Sequence, residues 1–127
     1  MSHKIVNTDK APAAIGPYSQ ACIGGNLLFI SGQIPINPEF GTMVEGDIKV
    51  ATKQCLDNLF AIVSAAGDDV HLVKVTIFLV DMDNFADVNE AYKEYFKENP
   101  PARACVEVSR LPKDANIEIE GIAVLPK

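Results

Sequence analysis

The sequence predicts an α+β fold in which two helices cover one face of a single mixed six-stranded sheet. Three observations carry that expectation. The spacing of apolar residues alternates between strand-like and helix-like along the chain, giving the order β-β-β-α-β-α-β-β. Each helical segment has only one apolar stripe, so each buries one face, and the sheet is the surface available to both. The 127 residues, 48% apolar and 22% charged, have the composition of one globular domain whose core closes without a disulfide.

The elements follow in order. KIVN, residues 4 to 7, makes a short first strand, and TDKAPAAIGPYS after it is an irregular loop punctuated by Pro12, Gly16 and Pro17. QACIGGNLLFISGQIP reads as two strands joined at Gly24-Gly25-Asn26, a hairpin signal. Pro35, Pro38 and Gly41 end that unit and make NPEFGTMVEGD a surface loop. From Asp47 to Ala66 the apolar positions Ile48, Ala51, Cys55, Leu59, Ile62, Val63 and Ala66 recur at three and four, an amphipathic helix capped by Asp47 and stopped by Gly67. VHLVKVTIFLVDM is rich in branched residues and is the strongest strand. Asp83 or Asn84 caps a second helix with an inner stripe of Phe85, Val88, Tyr92, Tyr95 and Phe96, closed by Pro100. PPARACVEVSRLP then gives a strand with Ala104, Val106 and Val108 on one face and Arg103, Cys105 and Glu107 on the other, and IEIEGIAVL gives the last.

Helices on one face leave the other face bare. That bare face is expected to carry Arg103, Cys105 and Glu107 beside Glu118 and Glu120, with Ile122 and Val124, while Ile117 and Ile119 point to the helices. A sheet face mixing charge with apolar side chains is rarely left to water, so oligomerisation through it and a site at the subunit boundary are expected.

Charge and composition exclude several classes. Seventeen acidic against eleven basic residues leave a net charge of −6, which repels a phosphate backbone, so nucleic acid is not an expected partner. Cys22, Cys55 and Cys105 are an odd three without C-x-x-C spacing, against both a disulfide framework and a thiolate zinc site and in favour of a reducing compartment. The first residues lack an apolar leader, and runs such as IFLV are too short to span a bilayer; a cytoplasmic location is expected, an organelle being left open. His3 and His71 are the only histidines, and no metal, P-loop or dinucleotide motif is present, so no metal or nucleotide cofactor is expected.

Smaller features remain. Tyr18 stands on the stiff turn Gly16-Pro17-Tyr18-Ser19, where it either packs at the surface or presents its phenol. Ser31-Gly32 interrupts a strand, marking a bulge or the close approach of a ligand. Asn89, off the apolar stripe, reads locally as a solvated helix residue, and Cys105, without a histidine partner, as a small hydrophobe. Arg103 alone reads as a solvated edge residue. If the last two strands formed a hairpin about Lys113, Arg103 would face residue 123, so meeting Glu118 requires another pairing or another subunit.

IGPYSQA (15 to 21), ISGQIP (30 to 35), QCLDNL (54 to 59), TIFLVDMDNF (76 to 85) and PPARACVEVSRLPKDANIEIE (100 to 120) together resemble the Rid family, the reactive intermediate deaminases of YjgF type, over essentially all of residues 1–127. The resemblance implies a single domain with a chorismate-mutase-like fold, and a homotrimer whose sheets face inward and whose clefts lie between subunits. It implies cofactor-free hydrolysis of 2-imino and enamino acids, such as 2-aminoacrylate and 2-iminobutanoate released by pyridoxal-phosphate enzymes, to 2-oxo acids and ammonia. By motif, Arg103 would bind the substrate carboxylate, Glu118 would hold or activate water, and Tyr18, Ser31, Gly32, Asn89 and the backbone around Cys105 would line the cleft. Two departures stand out: Ala104 replaces a hydroxyl residue common in relatives, and Glu39-Phe40-Gly41 varies a loop often written with threonine before glycine. A binding module for small carboxylates is the rival expectation. Some family members have also been described as ribonucleases or translation inhibitors, against which the charge weighs.

Overall fold

In the computed structural model, which describes residues 3–127, alternation of buried and exposed side chains builds one six-stranded sheet. Strands β1 (Lys4–Val6), β2 (Ala21–Gly24) and β3 (Leu27–Gln33) pair antiparallel in sequence. Gly25 turns the β2–β3 hairpin at φ +62°, a left-handed conformation that costs glycine nothing. A two-residue ribbon, β4 (Ile36–Asn37) with β5 (Thr42–Met43), occupies the segment expected to be plain loop. Asn58 explains it: this buried helix residue donates to the carbonyls of Ile36 at 2.9 Å and Ile34 at 3.4 Å and fastens the ribbon's base.

Helix α1 (Ile48–Ala66) begins where the Asp47 carboxylate accepts the Val50 N–H at 3.1 Å, and ends at Gly67. Then β6 (His71–Leu79), α2 (Phe85–Lys93) and β7 (Ala102–Glu107) form a parallel crossover. The last strand, β8 (Ile117–Val124), inserts between β3 and β6, antiparallel to both, so the order is β1-β2-β3-β8-β6-β7. The hairpin of the last two strands therefore does not form; β6 separates them.

Both helices lie on one face, as expected. Cys55, Leu56, Leu59 and Ile62 of α1 and Val88 of α2 are fully buried against Leu28, Val75, Ile77, Leu79, Ile117 and Ile119. Each large aliphatic side chain so buried stabilises the fold by roughly 1.5–3 kcal/mol. No helix among the described residues is long and apolar enough to cross a membrane.

Three local expectations are corrected. Asn84 holds the N-cap position of α2 but makes no side-chain cap bond; the capping carboxylate is that of Asp81, which accepts the Asp83 N–H at 2.9 Å over a 3₁₀ turn, Met82–Asn84, that runs into α2. Helix α2 stops at Lys93, so Tyr95 and Phe96 pack from the turn beyond it, and Phe85 is 37% exposed rather than part of an inner stripe. The faces of β7 are the reverse of those expected. Arg103, Cys105 and Glu107 pair in parallel register with Val75, Ile77 and Leu79, whose side chains face the helices, while Ala104 and Val106 share the bare face with Thr76 and Phe78. Glu118, Glu120, Ile122 and Val124 do lie on that bare face, between buried Ile117, Ile119 and Ala123.

Candidate active site

The sheet divides the expected site residues into two clusters on opposite faces. The first is built on β7 and α2. Position 103 is an edge-strand residue aimed at the helix layer, and α2 offers it Phe85, Asn89 and Tyr92, spaced to share one helical face. Arg103 Nη1–H donates to Asn89 Oδ1 at 2.7 Å, and its guanidinium carbon lies 4.8 Å from the centre of the Tyr92 ring and 5.7 Å from that of Phe85. Asn89 is thus the arginine's partner rather than a solvated helix residue. Among the described residues no carboxylate pairs with Arg103, so its charge is not neutralised.

Burial pushes the Cys105 thiol up, with the nearby Arg103 charge opposing, so the sulfur stays protonated near neutral pH. That is consistent with Cys105 as a packing residue whose backbone borders the arginine. The Tyr92 phenol is pushed up to about 12, chiefly by burial and against the pull of Arg103. Glu107, on the same face, accepts the Met82 N–H at 2.8 Å and ties β7 to the start of α2.

The second cluster lies on the bare face, where β3 breaks register with β8 between Ile30 and Gln33. The irregularity brings Ser31 and Gly32 over Glu118. A Cβ at position 32 would stand 2.5 Å from Glu118 Oε2, so glycine is what lets the carboxylate lie against this strand. Ser31 Oγ–H donates to the Ser19 carbonyl at 2.7 Å, joining the strand to the loop that carries Tyr18. Tyr18, Ser31, Gly32, Glu118 and Glu120 line an open recess of about 430 Å³ with apolar walls from Ile15, Ile34 and Pro112. Half-burial raises the Glu118 carboxyl above the usual carboxylate range, and the neighbouring Glu120 charge adds to the shift. Such a carboxyl holds its proton to higher pH than a solvated one.

Arg103 and Glu118 do not meet within one chain. The structure brings Arg103, Asn89 and Cys105 together, and separately Tyr18, Ser31, Gly32 and Glu118. A recess of about 470 Å³ edged by Phe60, Tyr95, Phe96 and Pro101 contains none of them. Among the described residues, no group of three or more His, Cys, Asp or Glu is placed to hold a metal ion.

Sequence reasoning missed two supports. Gln20 is buried and binds the irregular loop on both ends of its amide: Oε1 accepts the Thr8 N–H at 2.7 Å, and Nε2–H groups donate to the carbonyls of Thr8, Ala11 and Pro12 at 3.0, 3.3 and 2.8 Å. Nothing local distinguishes it. Asn58, at position i+3 from Cys55 and i−4 from Ile62, interrupts the buried stripe of α1, and that interruption was a usable signal.

Fold and clusters together define a class: an α+β protein with two helices over one face of an open mixed sheet, an arginine on the helix side of its edge strand without an acidic partner among the described residues, and a half-buried carboxyl in a recess on the bare face. The family model described as Endoribonuclease L-PSP matches residues 8–125. The chain belongs to this family, the Rid or YjgF type. A RutC family protein of Pyrococcus horikoshii is 57% identical over 121 residues, covering 94% of this chain and 96% of that one. The 2-iminobutanoate/2-iminopropanoate deaminase of Escherichia coli K12 is 52% identical over 125 residues, covering 95% and 97%. The crystal structure of E. coli TdcF with bound serine superposes with a TM-score of 0.91 at 43% identity, covering 97% of this chain and 99% of the other.

Proposed function

We propose that the chain is a 2-iminobutanoate/2-iminopropanoate deaminase, working as a homotrimer in which Arg103 of one subunit and Glu118 of the next close on a single cleft. The observation that carries the reading is the division of the site: an arginine with unneutralised charge on one face of the sheet, and a raised carboxyl beside Tyr18, Ser31 and Gly32 on the other. A subunit boundary is the arrangement that joins them. The 52% identity to a protein named for this activity supports the substrate class.

In this reading the planar guanidinium takes the substrate carboxylate through two parallel N–H bonds, which lysine cannot offer. Glu118 accepts a proton from water as the water oxygen bonds to C2 of the protonated imine, giving a carbinolamine. It then returns that proton to the nitrogen and, as the C2–N bond breaks and the C2–O double bond forms, takes up the hydroxyl proton, which departs with the released ammonia as ammonium. One water enters, one ammonia leaves, and no redox partner is needed. Tyr18 and Ser31 orient the water and the developing amine from the same side. A positioned acid–base group contributes ~10²–10⁴-fold, which suffices for an imine that hydrolyses unaided.

The rival reading, a carboxylate-binding module without turnover, draws on a relative that holds serine, itself a small carboxylate. The family's endoribonuclease description finds little support in a chain of net charge −6.

The deciding experiment follows release of 2-oxobutanoate and ammonia from 2-iminobutanoate made in place by a threonine dehydratase. Wild type should exceed the protein-free rate, and folded Arg103→Ala and Arg103→Lys should not. Wild type no faster than the control overturns deamination; if such a protein still binds 2-oxobutanoate through Arg103, the binding module replaces it.

A further inference from the structure

We propose that Tyr92 is a positioning residue for Arg103, holding the guanidinium flat so that its outer edge and its charge remain available to a carboxylate, an inference that rests on the clamp reading of Arg103. Three observations carry it. The guanidinium carbon lies 4.8 Å from the Tyr92 ring centre, within cation–π range. The ring is itself immobilised, being 6% exposed and packed 4.5 Å centre to centre on Phe96. The lateral tether on the arginine is the neutral amide of Asn89, 2.7 Å from Nη1.

An exposed arginine on an edge strand ordinarily samples many rotamers, and an acidic neighbour would order it only by consuming its charge. A ring beneath and an amide beside it order the group while leaving it cationic. With Nη1 engaged by Asn89, the edge formed by Nε and Nη2 makes no hydrogen bond among the described residues, and that edge presents the parallel donor pair a carboxylate takes. The Tyr92 hydroxyl is buried and has no hydrogen-bond partner among the described residues, so the aromatic face, not the phenol, is the part in use.

The test compares Tyr92→Phe, Tyr92→Leu and Tyr92 replaced by pentafluorophenylalanine, the last preserving the shape of the ring while reversing its quadrupole. Steady-state turnover of 2-iminobutanoate is read with the NMR order of the Arg103 Nε–H vector. Tyr92→Phe should retain wild-type KM and a rigid guanidinium. Tyr92→Leu and the fluorinated variant should raise KM on the order of tenfold at nearly constant kcat and mobilise Nε–H, because a clamp made equally in ground and transition states appears in KM. If Leu prevents folding, the fluorinated variant alone decides. A rigid Arg103 with wild-type KM in that variant overturns the positioning role. Arg103→Lys at wild-type rate overturns the clamp reading instead, and the NMR order then still reports on whether Tyr92 holds the arginine.

Discussion

Glu118 carries a pH dependence whose sign differs from that of most carboxylates. Its pKa is raised in the folded chain by half-burial and then by Glu120, so the native state binds the proton more tightly than the unfolded chain does. The stabilisation is fully present below the unfolded value near 4.5 and is lost as pH rises through the folded value. Glu118→Gln removes that titration. Thermal melts should show the variant gaining on wild type as pH rises from 4 to 7, while deamination falls by about 10²–10⁴-fold. A Tm difference independent of pH would sink the linkage argument. Arg103 and Glu118 stood out in the sequence through the resemblance to the Rid family, since Arg103 alone reads as a solvated edge residue and local spacing does not bring it to Glu118. Tyr92 was legible only as a core residue, since its place under the guanidinium depends on a crossover that brings α2 over β7.

Elements were read well where one face is apolar and the other wet, as in α1, whose cap, stripe and stop all lie where the spacing puts them. The rule failed on β7. Binary patterning sends Ala104 and Val106 inward, and they do point to an apolar surface, but it is the bare face, while the polar row turns to the rim of the helix layer. Inversion of this kind arises when an edge strand serves two apolar surfaces and only one lies inside the chain. The loop between β1 and β2 was legible as irregular, but its order was not, because order comes from one amide at the loop's end, Gln20, reaching back 8 to 12 residues to Thr8, Ala11 and Pro12. Gln20→Ala removes four hydrogen bonds and leaves the buried Ala11 carbonyl and the part-buried Pro12 carbonyl short of a donor. A loss of about 1–3 kcal/mol is expected. Hydrogen exchange should accelerate at Thr8 and around Tyr18 while α1 remains protected. Wild-type protection at Thr8 would remove Gln20 from this role.

At the scale of the molecule, the bare face and the divided site call for the same arrangement. Phe29 and Val106, 46% and 42% exposed, stand on an open sheet face with Phe78 and Ile122, an apolar surface that another subunit would cover. If that subunit also supplies the missing half of the cleft, two inactive variants must repair one another. In a mixed trimer of Arg103→Ala and Glu118→Gln chains, a cleft is intact only when its arginine comes from the second variant and its carboxylate from the first. For equal mixing each condition is met half the time, so co-refolded protein should regain about a quarter of wild-type turnover. Each variant refolded alone should stay at its own low rate. A site contained in one chain gives no recovery at all, since every subunit would lack one of its own two groups. Recovery near a quarter, in particles that sediment as trimers, requires that the cleft be shared.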